Sequence, residues 1–433
     1  MSKQTNSSTE QSRSVPPLRF PEFTGEWEKK KLGEVAEKIN SGKTPLGGES
    51  VYTERGILFI RSQNVNNDKL SFENSTYIPE EINNTMKNSV VKANDILLNI
   101  TGASLGRSCV VPNDFSIGNV NQHVCIIRLD KESNPRFVQP ILSSTKGRNI
   151  FISLQTGSGR EGLNFESIKG IEITFPTLPE QTKIATFLTA VDEKIQALKK
   201  KHSLLEQYKK GVMQRLFCLH HDSLDLHDEH DFDKKNQQKK SRQSDKSSKS
   251  RFRPLRFKDE NGNEFPDWEV KKLGEIATIT TGSSNREDSI LDGEYTFFDR
   301  SQDIRTSNRF LFDKEAVIVP GEGQEFTPKY FVGKFDLHQR TYAIFDFDNI
   351  NGKFLFYSII YNDKHLQSQA VGSTVKSLRL PMFETMPINL PCLKEQTRIA
   401  NFLSAIDEKI NHTAMQIQKT EVWKKGLLQK MFV

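Results

Sequence analysis

The stretch LPEQTKIATFLTAVDEKI (Leu178–Ile195) returns as LKEQTRIANFLSAIDEKI (Leu393–Ile410), with 13 of 18 positions identical. A chain that repeats one segment so closely places it twice in one kind of environment, so the fold has two related halves. A second block repeats ahead of it. WEKKKLGEVA (Trp27–Ala36) and WEVKKLGEIA (Trp268–Ala277) agree at eight of ten positions, and PLRF occurs at Pro17 and again at Pro254. Each front block runs into a glycine, Gly42 or Gly282, which reads as the end of a helix. The helical repeat is offset by 215 residues and continues without a gap to EQYKKGVMQRLF (Glu206–Phe217) and EVWKKGLLQKMF (Glu421–Phe432), whereas the front blocks are 241 apart. The second copy is therefore about 26 residues shorter, all of it lost between the repeated blocks. One scaffold carries two different middles.

A chain of 433 residues without a long apolar run suits two soluble domains. The apolar runs fall far short of the roughly 20 residues of a bilayer span, and the polar start MSKQTNSSTEQSRS has no signal-peptide core, so a cytoplasmic, non-membrane protein is expected. Four scattered cysteines with no CxxC pair exclude a disulfide framework or zinc ribbon, and Cys109 and Cys125, in apolar runs, read as buried hydrophobes. A net charge of +6 suits a partner bearing phosphates. Residues 218–253 pass from acidic DSLDLHDEHDFD to KKNQQKKSRQSDKSSKSRFR and bury too little to fold, so they read as a flexible tether. The basic half could meet DNA phosphates or stay solvated. The histidines there (His220, His221, His227, His230) lack rigid surroundings, and no metal site is expected.

The repeated segments are helical. In the first, Leu188, Val191, Ile195, Leu198, Leu205, Val212 and Leu216 fall at alternating three- and four-residue spacing, with His202 and Lys209 in the remaining slots. The second sets Leu403, Ile406, Ile410, Ile417, Leu427 and Met431 in the same register, interrupted by Thr413, Thr420 and Lys424. So narrow a stripe needs a partner, and the best match for each helix is the other, paired antiparallel if the intervening domain returns the chain to its starting end. Polar residues in the stripe would disfavour slipped registers. The competing reading is two domain-capping helices, each packed on its own neighbour.

The middles carry amides and guanidiniums at strand ends. In the first, Arg61, Ser62, Gln63 and Asn64 follow the apolar run Ile57–Ile60, while Asn119, Asn121, Gln122 and His123 precede another strand. In the second, Arg300, Ser301 and Gln302 follow Phe297 and Phe298, and His338, Gln339 and Arg340 stand where Asn121–His123 stand in the first. Such groups suit bidentate reading of adenine and guanine edges, although they are also good turn formers. Glycine-containing loops add Arg107 and Arg160 in the first middle and Gln324, Lys376 and Arg379 in the second as candidate DNA contacts. No GxxxxGK[ST] phosphate loop, Asn- or Asp-Pro-Pro-aromatic methyltransferase motif, metal-ligand set or catalytic constellation stands out, so no catalytic residue is assigned.

A variable domain opened by WExKKLGE[VI]A and closed by an EQTxIAxFL helix continuing DEKI and ending KKGxxQ, all of it twice, resembles the specificity subunit of type I restriction-modification systems. The resemblance implies an α+β fold: two globular target-recognition domains separated by an antiparallel coiled coil of two long conserved helices, with a pseudo-twofold internal repeat. The parts would be a disordered N-terminus (1–16), recognition domain 1 (17–177), helix 1 (178–217), linker (218–253), recognition domain 2 (254–392) and helix 2 (393–433). Such a chain would be non-catalytic, reading a bipartite asymmetric sequence in double-stranded DNA while its helices set the unread spacer. Two modification (methyltransferase) subunits and the restriction (translocase/nuclease) subunits would be its partners. The chain itself would bind no cofactor, and the assembled complex would use S-adenosylmethionine, ATP and Mg. Two other classes compete with this reading. One is a tandem protein-interaction module without DNA specificity. The other is a fragment of a single-chain restriction-methylation enzyme, which the missing motifs disfavour.

Overall fold

The computed structural model describes residues 15–66, 68–155, 162–217 and 255–432. The expectations for the first 14 residues, for Arg160 and for the 218–253 tether with its histidines lie outside these. Packing divides the chain into two compact units, one formed by residues up to Lys199 together with Met415 onward, the other by Lys200–Ala414. Each unit therefore contains the start of one long helix and the end of the other.

The front blocks are strands joined by a short helical turn, a 3-10 turn in the first unit and a four-residue helix, Leu273–Ile276, in the second. In the first unit they form strands β1 (Glu28–Lys31) and β2 (Ala36–Ser41) around a 3-10 turn. Strands β3 (Ile57–Ile60), β4 (Thr76–Ile78), β5 (Val90–Val91), β6 (Ile96–Asn99), β7 (Ser108–Val110), β8 (Gly118–Val120), β9 (Val124–Leu129) and β10 (Glu172–Phe175) follow. The order is β4-β3-β8-β5 in one sheet and β2-β9-β6-β7 in another, and β1 pairs with β10. In the second unit the front block gives β11 (Glu269–Lys272) and β12 (Thr278–Thr281), followed by β13 (Tyr295–Phe298), β14 (Arg305–Ser307), β15 (Phe312–Pro320), β16 (Glu322–Gly323), β17 (Lys329–Leu337), β18 (Thr341–Phe345), β19 (Lys376–Ser377) and β20 (Pro387–Leu390). Here β12-β18-β15-β17-β13-β14 form a single sheet, β11 pairs with β20, and β16 with β19.

Several strand relations are common to the units: β3 runs parallel to β8 as β13 does to β17, β2 pairs with β9 as β12 does with β18, and β1 pairs with β10 as β11 does with β20. The units diverge where β15 and β17 pair directly from Phe312–Ile318, which fuses the second sheet. Gly42 and Gly282 thus end strands rather than helices. A Cβ would lie 1.6 Å from the Val120 carbonyl oxygen at Gly42 and 1.7 Å from that of Leu337 at Gly282. Only glycine lets a neighbouring backbone come so near. Cys109 and Cys125 are buried strand residues, and burial pushes both thiols up to about 12.

The two long helices, α1 (Leu178–Phe217) and α2 (Leu393–Met431), run antiparallel within each unit. In the first, Asp192 meets Lys424 at 2.7 Å and Lys199 meets Glu421 at 2.6 Å; in the second, Lys209 meets Asp407 at 2.6 Å. The 215-residue offset converts Asp192–Lys424 into Asp407–Lys209, so one contact is made twice with the helices exchanged. Leu188, Val191, Ile195, Leu403, Ile406 and Leu427 are buried, while Leu198, Leu205, Ile410 and Ile417 are half-buried. The stripe ends thus sink into the domain cores, whereas the apolar residues of its middle are only half-covered and Thr413 among them is buried. Thr413 and Thr420 bond to the carbonyls of Lys409 and Gln416 in their own helix, so the lysines, not the threonines, carry the polar register.

The other repeated residues fasten helix to domain. Arg19 of the first PLRF grips both oxygens of buried Glu180 at 2.7 Å, and Arg256 of the second grips Glu395 at 3.0 Å. The neighbouring N–H of Leu18 donates to the Lys430 carbonyl at the end of α2, and that of Leu255 to Arg215 at the end of α1. Each PLRF therefore joins the start of one helix to the finish of the other and satisfies a terminal carbonyl. Gln181 and Gln396 repeat the same role: their Oε1 atoms accept from Asn134 N and Asn351 N, while their amides donate to Pro176 O and Pro391 O. Phe432 and Phe217, which close the repeats, pack edge-on or tilted against Phe137 and Phe354 at 5.4 and 5.8 Å, beside Trp27 and Trp268.

Candidate nucleic-acid interface

One backbone bond joins the two polar strand ends in each unit. Asn121 N donates to Ile60 O at 3.1 Å in the first, and His338 N donates to Phe298 O at 3.0 Å in the second. The parallel β3–β8 and β13–β17 pairs make this inevitable, because parallel neighbours end on the same side of the sheet. The segments singled out in the sequence therefore do converge.

In the first unit the rim is a chain of uncharged polar groups. Thr44 Oγ1 donates to Gln122 Oε1 at 2.8 Å, Gln122 Nε2 donates to His123 Nε2 at 3.0 Å, and His123 Nδ1 meets Thr101 Oγ1 at 2.6 Å. With the amide donating, Nε2 is the acceptor and the ring proton sits on Nδ1. Gln122 is exposed, His123 half-buried. Gln63 and Arg107 are exposed, and Asn99 links their segments, its N–H donating to Arg107 O at 2.8 Å and its Nδ2 to Ser62 O at 2.9 Å. Arg61 lies 5.8 Å over the Tyr52 ring. Its Nε, like Asn99 Oδ1, is buried without a hydrogen-bond partner among the described residues.

Three expectations are corrected here. Asn64 is 1% exposed, accepting from Arg61 N and donating to Ser71 O; Asn119 is fully buried, donating to Asn83 Oδ1 and Met86 O; Asn121 is buried and accepts from His123 N. These amides replace missing backbone partners at strand ends, and none can reach a base as placed.

The second rim is built of ion pairs. Arg300 Nη1 donates to Glu322 Oε2 at 2.6 Å, and Arg340 Nη1 donates to Glu322 Oε1. Glu322 stands on β16, which pairs with β19, so Lys376 and both glycine loops arrive at the same place. Lys376 Nζ meets Gln367 Oε1 at 3.4 Å, and Gln324 Nε2 donates to Thr374 O at 3.4 Å. Gln339 is exposed with Nε2 donating to Asn285 Oδ1 at 2.6 Å, while Gln302 and Arg379 are exposed. Two further expectations change. His338 is 6% exposed and accepts from Arg340 N, and burial, with help from Arg300 and Arg340, lowers its pKa and keeps it neutral. Ser301 turns inward, its hydroxyl and N–H both donating to Asp299.

Sequence reasoning passed over Thr44, Thr101, Glu322, Arg305 and Arg309. Arg305 binds Asp299 at 3.0 Å, and Arg309 binds buried Asp336 at 3.3 Å. Thr44 was legible in principle: it stands 241 residues before Asn285, so the contacts Thr44–Gln122 and Asn285–Gln339 occupy matching positions. Glu322 gave no signal, since an acid within a basic surface shows its role only through its partners. A groove of about 1060 Å³ in the first unit, between the helices and the loop near Asp68, carries both signs of charge, including Asp192, Glu193, Lys199 and Lys424. Such mixed lining does not suit a phosphate backbone. Among the described residues no cluster of three or more His, Cys, Asp or Glu could hold a metal ion, and no helix is long and apolar enough to cross a membrane.

Each of the two related units ends its parallel strands in a polar rim and holds the start of one long helix beside the end of the other. The model for the type I restriction modification DNA specificity domain matches residues 24–207 and again 266–421, and the chain belongs to that family. It is 31% identical over 153 residues to the type I restriction enzyme EcoDI specificity subunit of Escherichia coli, spanning 35% of this chain and 34% of that one. To the MjaVIII specificity subunit of Methanocaldococcus jannaschii it is 23% identical, spanning 97% and 94%. The fold is shared with the type I restriction-modification S subunit from M. genitalium, at a TM-score of 0.61 over 97% of this chain and 99% of that one, with 15% identity. The chain is accordingly a specificity subunit and not an enzyme by itself.

Proposed function

We propose that this chain reads a bipartite, asymmetric sequence in double-stranded DNA, one half with the rim around Gln122 and the other with the rim around Arg300, Gln339 and Arg340. The carrying observation is that strand ends of matched position bear different side chains in the two units, Asn121-Gln122-His123 against His338-Gln339-Arg340. Equal scaffolds with unequal rims suit a target whose halves differ. The partners are two modification subunits and the restriction subunits; S-adenosylmethionine, ATP and Mg serve those partners' chemistry in the complex. Exposed Arg107, Gln302, Gln324 and Arg379 are contacts of the same surfaces, to bases or phosphates.

Co-expression with the modification partner, followed by mapping of methylated adenines, tests this directly. Gln122→Ala should relax one half of the methylated motif only, and Gln339→Ala the other only. If both relax the same half, the two-headed reading is wrong. DNA binding insensitive to salt would instead favour a tandem protein-interaction module.

A further inference from the structure

We propose that the half-site read by the second unit contains a guanine recognised by Arg340 with Arg300, both oriented by Glu322, and that the first half lacks its counterpart. The inference rests on the DNA-reading function above and names part of the sequence read. Glu322 is mostly buried, its side chain 15% exposed, whereas Arg300 and Arg340 are 45% and 57% exposed. Each guanidinium binds the carboxylate through Nη1. The Nε and Nη2 hydrogens, two parallel donors on another edge of the plane, remain available. In the major groove only guanine offers two adjacent acceptors, O6 and N7.

Pinning is what separates base reading from phosphate binding. A phosphate contact needs positive charge and little orientation, and a carboxylate shared by two arginines reduces their joint charge to +1. The same carboxylate fixes both planar forks, which improves a bidentate contact and does nothing for a diffuse one. Glu322 is thus a positioning residue. In the first unit the position of Arg340 is held by His123, whose ring nitrogens face Thr101 and Gln122, and no arginine pair bridges a carboxylate there among the described residues. The exposed Gln122 amide retains one N–H and one oxygen lone pair, the complement of adenine N6 and N7.

The test uses the full chain co-expressed with its modification partner, with methylome sequencing as readout. The wild-type motif should contain a guanine in the half left unchanged by Gln122→Ala. Arg340→Gln and Arg340→Lys should each reduce preference for that guanine by about ten- to a hundredfold. Glu322→Gln should relax the same position more weakly, with methylation of the other half unaltered. The lysine variant keeps the charge and guards against a folding artefact. Wild-type preference in Arg340→Lys, uniform loss across all sequences in Arg340→Gln, or a wild-type half without guanine would each overturn the proposal. Absence of any bipartite motif, or Gln122→Ala and Arg340→Gln altering one and the same half, would overturn the DNA-reading function itself.

Discussion

The two units use the same fastenings and different rims. Arg19–Glu180 and Arg256–Glu395, Gln181 and Gln396, Phe432 and Phe217 recur in near-identical geometry, whereas Thr44-Gln122-His123-Thr101 and Arg300-Glu322-Arg340 have little in common beyond their place on the fold. The sheets themselves differ, split in one unit and fused in the other. Repetition in this chain therefore marks where helix meets domain, and variation marks where the domain faces outward. The tightest sequence identity belongs to attachment, not to recognition.

One fastening is unequal, and it should give the largest stability effect. Trp268 Nε1 donates to Glu395 Oε2 at 3.1 Å, while the buried Trp27 Nε1 has no partner among the described residues. Removing one member of a buried ion pair costs about 3–5 kcal/mol because the other is left uncompensated. Glu180→Ala should cost about that in the first unit. Glu395→Ala should cost the second unit about 1 kcal/mol more, for the orphaned indole as well. Because two units need not unfold together, hydrogen exchange of each is the suitable measurement. Equal effects, or a larger one at Glu180, would mean that the indole bond contributes nothing.

A smaller difference should appear with pH. Burial lowers the pKa of His338, so below the ordinary imidazole value of about 6.5 the unfolded state takes up a proton that the folded state refuses. Stability from this site is complete above that value and is lost as pH falls through the folded pKa. For one proton the slope cannot exceed about 1.4 kcal/mol per pH unit. The carboxyl of Asp299, held below its usual range by Ser301 and Arg305 despite burial, acts in the same direction at lower pH. Exchange protection in the second unit should fall between pH 7 and 5.5, and His338→Asn should flatten that fall. A steeper fall in the variant would contradict the neutral, buried assignment.

Much of the scaffold was legible because its determinants are periodic or repeated: the helix stripe, the offset of 215 and the doubled front block each announce themselves. The front block's secondary structure was not. WEKKKLGEVA has a helix-like mixture of residues, but pairing with β10 and the backbone approach at Gly42 override local propensity. The rim was half legible. Residue type and strand-end position located the convergent segments, yet could not distinguish Gln122, which faces outward, from Asn119 three residues before it, whose amide bonds inward to Met86 O. Burial at a strand end depends on which neighbouring carbonyl lacks a partner, and that is set by tertiary contacts far away in sequence.

The helix pair supplies the finest comparison and the smallest expected effect. Lys424 binds Asp192 and lies 3.8 Å from Asp68; Lys209 binds Asp407 and stands 5.1 Å over the Tyr357 ring, whose hydroxyl donates to the same carboxylate. Partial exposure screens both pairs, so each should be worth roughly 0.5–1 kcal/mol. Lys209→Asp alone sets like charges against Asp407 and should destabilise; adding Asp407→Lys should recover most of the loss, with a coupling of about 0.5–1 kcal/mol in a double-mutant cycle. The equivalent exchange at Asp192 and Lys424 should give a coupling of similar size, because the repeat makes the contacts equivalent. Zero coupling at both would mean that apolar packing alone holds the register. Coupling at one and not the other would locate the asymmetry in the surroundings, Asp68 on one side and Tyr357 on the other, since the helices bring the same two residues to each contact.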